Sequence, residues 1–309
     1  MARIVIALGG NAILRKGERG TVEEQWRNVR FAASALAGAI EPQDQVVVTH
    51  GNGPQVGQLA EMSQLLVDKY PPQSMDIYVA MTQGWLGYMI AHSVEEAFGY
   101  KRKAVVVITR TLVRADDPDF RSPSKFVGSY FSEEVANELS MRYGWTFKRD
   151  PRGGMRRVVP SPEPLDVLEA EAIEDLLERG YIVVAVGGGG VPVVRRDGSL
   201  APVEAVIDKD LATAVLAIKL RADKLVILTD VPGVAVDYGK PTETWLRVIK
   251  ASQLAALYDK GMFPPGSMGP KVLAAIRFVK ATGGHAIIGD LEDAANVIRE
   301  RSGTVVVPG

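Results

Sequence analysis

Val46-Val47-Val48-Thr49-His50-Gly51-Asn52-Gly53-Pro54-Gln55-Val56-Gly57 is an unbroken apolar run that ends in a glycine-rich turn. A run this short, with no polar alternation, suits a strand buried on both faces, as in a parallel sheet. The same signature recurs at 4–8, 104–109, 182–186, 225–229, 286–288 and 304–307. Helical patterns separate most of these runs. Thr21-Val22-Glu23-Glu24 has the spacing of a capping box, and Trp26, Val29, Ala33, Leu36 and Ile40 follow at helical intervals. Further helices are predicted over 57–69, 75–98, 168–179, 211–220, 251–260, 272–282 and 291–301. Strands alternating with helices predict an α/β fold: an open, mainly parallel sheet sandwiched by helices.

Residues 114–164 break that rhythm, being rich in charge, proline and glycine and lacking a long apolar strand. The segment reads either as a surface insertion or as a lid over a site.

Composition narrows the chemistry. Of 309 residues 47% are hydrophobic and 24% charged, and 36 Lys+Arg against 37 Asp+Glu leave a net charge of −1. No global basic field invites nucleic acid, so an anion site must be built from a few local lysines and backbone amides. The chain has no cysteine and three histidines (His50, His92, His285), which removes disulfides, thiolate chemistry and a multi-histidine metal site. The N-terminus enters a strand pattern without a charged leader, and the longest uncharged stretch, 77–94, carries Thr82, Gln83, His92 and Ser93. The expectation is a cytoplasmic protein with neither signal peptide nor membrane span.

Three glycine clusters each follow a predicted strand: Gly9-Gly10-Asn11, Gly51-Asn52-Gly53, and Gly187-Gly188-Gly189-Gly190. One such cluster can be no more than a tight turn. Three at the carboxyl ends of buried strands predict a shared anion pocket, because ligands of open α/β sheets bind there. None has the spacing of a Walker A loop or a dinucleotide fingerprint. Most lysines are solvated surface charge. Lys209 differs in lying between Asp208 and Asp210 before an apolar helix, and Lys271 follows a Pro/Gly-rich turn at a helix start. Glycine turns and directed lysines are the parts that phosphoryl transfer requires. No Asp/Glu cluster identifies a metal cage.

These motifs together resemble the carbamate kinase family of the amino acid kinase superfamily. The resemblance spans the chain. It rests on 7–12, 49–57, Arg157-Val158-Val159-Pro160-Ser161-Pro162, 187–192, Ala205-Val206-Ile207-Asp208-Lys209-Asp210-Leu211-Ala212, 228–234 and Gly266-Ser267-Met268-Gly269-Pro270-Lys271-Val272. Other amino acid kinases carry a lysine at the place of Ala7, a departure that favours the carbamate kinase branch because Lys125 can supply the missing charge. Lys125-Phe126-Val127-Gly128 stands where Lys-Pro-Ile-Gly is expected.

The resemblance implies reversible transfer between MgATP and carbamate, giving ADP and carbamoyl phosphate, in a homodimer. It implies one domain over 1–309, with an acceptor-binding half of about 1–205 that includes a protruding subdomain at about 114–164, and a nucleotide-binding half of about 206–309. Lys125 and Lys209 are then the catalytic lysines, with Asp210 orienting them. Gly9, Gly10, Asn11, Gly51, Asn52, Gly53, Gly188 and Gly189 bind substrate, while Lys209, Asp230, Tyr238, Met268, Gly269 and Lys271 bind nucleotide. Magnesium accompanies ATP or ADP, with no protein metal site assigned. The rival readings are a kinase of the same fold acting on acetylglutamate, aspartate or UMP, and a non-catalytic nucleotide sensor.

Overall fold

Each apolar run becomes a strand of one eight-stranded sheet. The computed structural model describes the chain except residues 16, 68, 151 and 152 and the side chain of Ser129. The predicted helix over 57–69 and the charge- and proline-rich segment 114–164 therefore fall partly outside the described residues. Across the sheet the strands run Val248–Lys250, Thr304–Val307, His285–Asp290, Lys224–Thr229, Arg3–Leu8, Gln45–His50, Ile182–Val184 and Ala104–Val106. All described neighbours are parallel except His285–Asp290 against Thr304–Val307.

The period of two in Arg3–Leu8 divides it between two cores. Val5 and Ala7 face the layer of Lys209–Lys219 and Met268–Thr282, against Leu216 and Phe278. Ile4, Ile6 and Leu8 face the layer of Val22–Ala37 and Met75–Ala97, against Val29, Leu36 and Ile90. All five strand side chains are at most 4% exposed, which is why the run carries no polar residue. The capping box forms as read: Thr21 Oγ1 accepts from Glu24 N at 3.3 Å, and Thr21 N donates to Glu24 Oε2 at 2.9 Å.

Several boundaries move for local reasons. The helix expected from 57 spans Gly53–Leu65, because Pro54 fits the first turn, where its missing N–H costs nothing. The helix expected from 211 starts at Lys209, since Asp208 caps it. The strand expected over 182–186 stops at Val184, before Val186 turns left-handed at φ 52°. The helix expected over 291–301 divides into the 3₁₀ turn Leu291–Asp293 and the short helix Ala294–Ile298.

Three small sheets have no counterpart among the apolar runs, one of them the two-stranded pair Val234–Val236 and Thr244–Leu246. Ser199–Pro202, Val191–Arg196, Arg110–Val113 and Pro164–Val167 form a four-stranded sheet. Within 114–164, Lys125–Phe131, Met155–Val159 and Thr146–Arg149 form an antiparallel sheet flanked by the helix Glu133–Tyr143. That sheet rests on a separate apolar cluster in which Val127 and Val159 meet Val56, Ala60, Met75, Tyr78 and Val206. Among the described residues, no helix is long and apolar enough to cross a membrane.

Candidate active site

The glycine turns meet where the strands Arg3–Leu8, Gln45–His50 and Ile182–Val184 end. A Cβ added at Gly51 would stand 3.6 Å from both Gly10 N and Lys209 Cδ, so the first two turns and that lysine share one space. Gly188, at φ +63°, lies so close to the Asn52 amide that a Cβ would come within 2.0 Å of it. Asn52 is held in turn by donating to Thr82 Oγ1 at 2.9 Å. Thr111 Oγ1 donates to Gly189 O at 2.7 Å, while Gln83 and Thr109 brace the turn from below.

The glycines do not all serve as donors. Gly9 N, Gly51 N and Gly189 N already donate to Leu228 O, Leu8 O and Val186 O, so these residues contribute close approach alone. Gly10 and Asn11 open a 3₁₀ turn and Gly53 opens a thirteen-residue helix, where the first N–H groups have no acceptor inside the turn. Those ends suit an anion.

Above the turns three lysines meet two aspartates. Lys209 Nζ contacts Asp210 Oδ1 at 2.5 Å, Lys271 Nζ contacts Asp210 Oδ2 at 2.9 Å, and Lys125 Nζ reaches Asp208 Oδ2 at 3.3 Å. Asp208 Oδ1 meanwhile caps the helix Lys209–Lys219 through the N–H groups of Asp210 and Leu211. Three ammonium groups thus converge on two carboxylates at the mouth of the turns, with Asp230 acting on Lys271 from the adjoining cavity.

The environment sets how firmly each group holds its charge. Burial by itself would raise Asp210, but the Lys209 and Lys271 ammoniums outweigh it and hold the carboxyl well below the usual carboxylate range. Burial pushes Lys209 down, with Asp210 opposing and Lys271 reinforcing. Burial also opposes the charge on Lys271, yet Asp210 prevails and raises it. Lys125 is different in kind: its side chain is 40% exposed, against 13% for Lys209, so it can move.

Beside the lysines opens a cavity of about 260 Å³, lined by Thr229, Asp230, Tyr238, Trp245, Phe263, Met268 and Lys271 among others. Tyr238 and Trp245 stand edge to face, with centroids 6.0 Å apart. The sequence reading placed Asp230, Tyr238, Met268 and Lys271 together, and all four line this space. Gly269 sits behind the lining, its N–H donating to Pro264 O at 2.9 Å. Trp245 was not among the expected residues; it reaches Tyr238 only because Val234–Val236 pairs with Thr244–Leu246. Asp208 as the partner of Lys125, and Thr82 behind Asn52, are likewise visible only in three dimensions.

His50 gives the site a pH signature. It is buried next to Gly187, hydrogen-bonds Gly51 O at 2.9 Å, and is pushed from 6.5 down to about 4 by burial, with Lys209 adding to the effect. The unfolded chain therefore binds a proton that the folded chain refuses between those values, and stability falls as pH drops through that window. The expected loss is about 3 kcal/mol. Urea midpoints of the wild type and His50→Gln at about pH 7.5 and about pH 4.5 check this: the dependence should shrink in the variant, and an equal dependence in both would contradict it.

An α/β sandwich with glycine turns, paired lysines and an adjoining cavity at its strand ends defines a phosphotransferase site of the amino acid kinase type. The chain belongs to the amino acid kinase family, which it matches over residues 2–290. It is 49% identical to the carbamate kinase of Pyrococcus furiosus over 99% of both chains. It is 43% identical to that of Thermoplasma volcanium over the whole of both. The structure of Giardia lamblia carbamate kinase bound to AMP-PNP superposes with a TM-score of 0.94 at 39% identity, covering 100% of this chain and 99% of that one.

Proposed function

We infer that the chain catalyses reversible phosphoryl transfer between MgATP and carbamate, giving ADP and carbamoyl phosphate. The observation that carries this reading is the Lys125, Lys209 and Lys271 cluster around Asp208 and Asp210, set between the glycine turns and the cavity. Carbamate attacks through an oxygen that carries no proton, so no general base is needed; the obstacle is an anion approaching a polyanion. In the proposed mechanism the N–H groups of Gly10, Asn11 and Gly53 hold the acceptor, with Gly9, Gly51, Asn52, Gly188 and Gly189 shaping its site. Lys125 and Lys209 offset the charge on the transferring phosphoryl group. Lys271 holds the β- and γ-phosphates, Asp210 keeps Lys209 and Lys271 aimed, and the nucleotide lies against Tyr238, Met268 and Asp230.

Among the described residues no group of three or more His, Cys, Asp or Glu side chains is placed to hold a metal ion. Asp208 and Asp210 are paired with lysines, which leaves Asp230 as the carboxylate facing the nucleotide cavity. Magnesium would accompany the nucleotide as part of the MgATP substrate and neutralise phosphate charge there, with Asp230 available from the cavity wall.

On this reading the acceptor half comprises about 1–205, with the protruding subdomain at about 114–164, and the nucleotide half about 206–309. The active form is a cytoplasmic homodimer. Ile77, Met81 and Tyr88, exposed on one face of the helix Met75–Ala97, support a second copy there. Sedimentation at twice the chain mass is expected, and a monomer would contradict it.

Acceptor choice tests the reading directly. With MgATP, carbamate formed from bicarbonate and ammonium should elicit ADP, whereas N-acetylglutamate, aspartate and UMP should not. Among the described residues the charged pairs at the glycine turns are made of lysines and aspartates, with no arginine among them to take a second carboxylate. Turnover with any of the three larger acceptors in preference to carbamate would overturn the assignment.

A further inference from the structure

Arg157 is an arginine that the phosphoryl chemistry does not use, yet it is only 5% exposed. Its guanidinium lies 4.1 Å over the Trp145 ring and its Nη2 is 3.5 Å from Glu204 Oε2. The same Glu204 oxygen accepts from Met75 N at 3.2 Å, at the first turn of the helix Met75–Ala97. One carboxylate oxygen therefore joins the body of the protein to the protruding sheet.

The register gives that joint a consequence. Arg157 stands opposite Val127 in the antiparallel pair, and Val159 stands opposite Lys125. Lys125 and Arg157 therefore sit on adjacent, hydrogen-bonded strands, two residues out of register. On the other side, Glu204 precedes Asp208, the carboxylate that Lys125 touches, by four residues. Between them Val206 N donates to Pro160 O at 2.9 Å.

Two ion pairs thus bridge the same two segments in parallel. One, Lys125 with Asp208, spans 3.3 Å and is open to solvent on the lysine side. The other, Arg157 with Glu204, spans 3.5 Å and is open on the glutamate side, but its cation is enclosed by an indole face. The apolar contacts of Val127 and Val159 beneath the sheet attract without fixing an angle. A guanidinium stacked on a ring and paired to a capped carboxylate does fix one.

We propose that Arg157 and Glu204 are positioning residues for Lys125: they hold the protruding sheet in register while Lys125 leaves Asp208 to meet the transferring phosphoryl group. This rests on the carbamate kinase reading of the site. Arg157 touches no reacting atom, so its whole effect passes through Lys125.

A double-mutant cycle tests that dependence. R157M and E204Q are each made in the wild type and in a K125A background. Turnover is measured with MgADP and carbamoyl phosphate, and MgADP affinity by calorimetry. In the wild-type background each variant should lower kcat by about 10- to 100-fold, the scale of a misplaced reacting group. MgADP affinity should be unchanged, since the nucleotide cavity lies elsewhere. In the K125A background neither variant should lower kcat further by more than about twofold, the scatter of additive sites. An equal fall in both backgrounds, or normal kcat in the wild-type background, overturns the proposal. If R157M fails to fold, the near-isosteric E204Q decides alone. A wild type that makes no ATP would instead overturn the functional reading, so the two failures are distinguishable.

Discussion

Lys209→Ala is expected to lower kcat for ATP formation by about 10²–10³-fold, with the chain still folded and MgADP still bound. Two features make this the largest catalytic effect of a single substitution. Lys209 is the most enclosed ammonium of the cluster, and its aliphatic stem packs against Gly51 at the acceptor turn. Burial has already pushed its proton affinity down, so its charge stands in a poorly screened space. Bulk water cannot take its place there. Lys125, half exposed and paired at longer range, should fall within the same range but nearer its lower end. The folded state survives the loss because Asp210 keeps Lys271 as partner at 2.9 Å. Single-turnover kinetics with MgADP binding measured in parallel separates lost chemistry from lost binding.

The largest effect on stability is expected at Asp210→Asn. The carboxylate is 3% exposed and accepts from two ammoniums, so its removal leaves Lys209 and Lys271 facing each other with only the weaker attraction of Asp208 and Asp230 to offset them. Breaking a buried pair by removing one partner costs about 3–5 kcal/mol. The pH dependence identifies the cause. In the wild type the Asp210 carboxyl is held well below its ordinary value, so its contribution is complete above the normal carboxylate range and is lost as pH falls beneath it. That acid-side loss should be weaker in D210N. In the variant Lys209, already pushed down by burial, loses the main charge that opposes this, so stability should recover as pH rises toward the ordinary lysine range. Urea melts of both proteins from acid to about pH 10 check each arm. A flat difference across pH would mean that packing, not charge, explains the loss.

The main sheet was legible because each of its longer strands is enclosed by helices on both faces, which excludes polar residues and leaves continuous apolar runs. The three-residue edge strand Val248–Lys250 was not, since only Ile249 is buried there. The four-stranded and three-stranded sheets escaped for a related reason. Thr146–Arg149 exposes Lys148 and Arg149 to solvent, Met155–Val159 carries Arg156 and Arg157 in ion pairs and ring contacts instead of apolar packing, and Pro192 and Pro164 interrupt the pattern.

The site divides in the same way. Glycine turns and the Asp208-Lys209-Asp210 triplet are local in sequence and could be read. Which glycine N–H groups remain free could not, because Gly9 is committed to Leu228, more than two hundred residues away in the chain. Nor could the pairing of Lys125 with Asp208, or of Trp245 with Tyr238, since both depend on antiparallel ladders whose register the sequence does not display.

The most direct test of the central claim mixes purified protein with MgADP and carbamoyl phosphate and follows ATP by luciferase, with Lys209→Ala alongside. Prompt ATP from the wild type, lost in the variant, is the predicted result. Absence of ATP from wild-type protein that is folded and binds MgADP would contradict the assignment, and equal ATP from both proteins would contradict the role of Lys209.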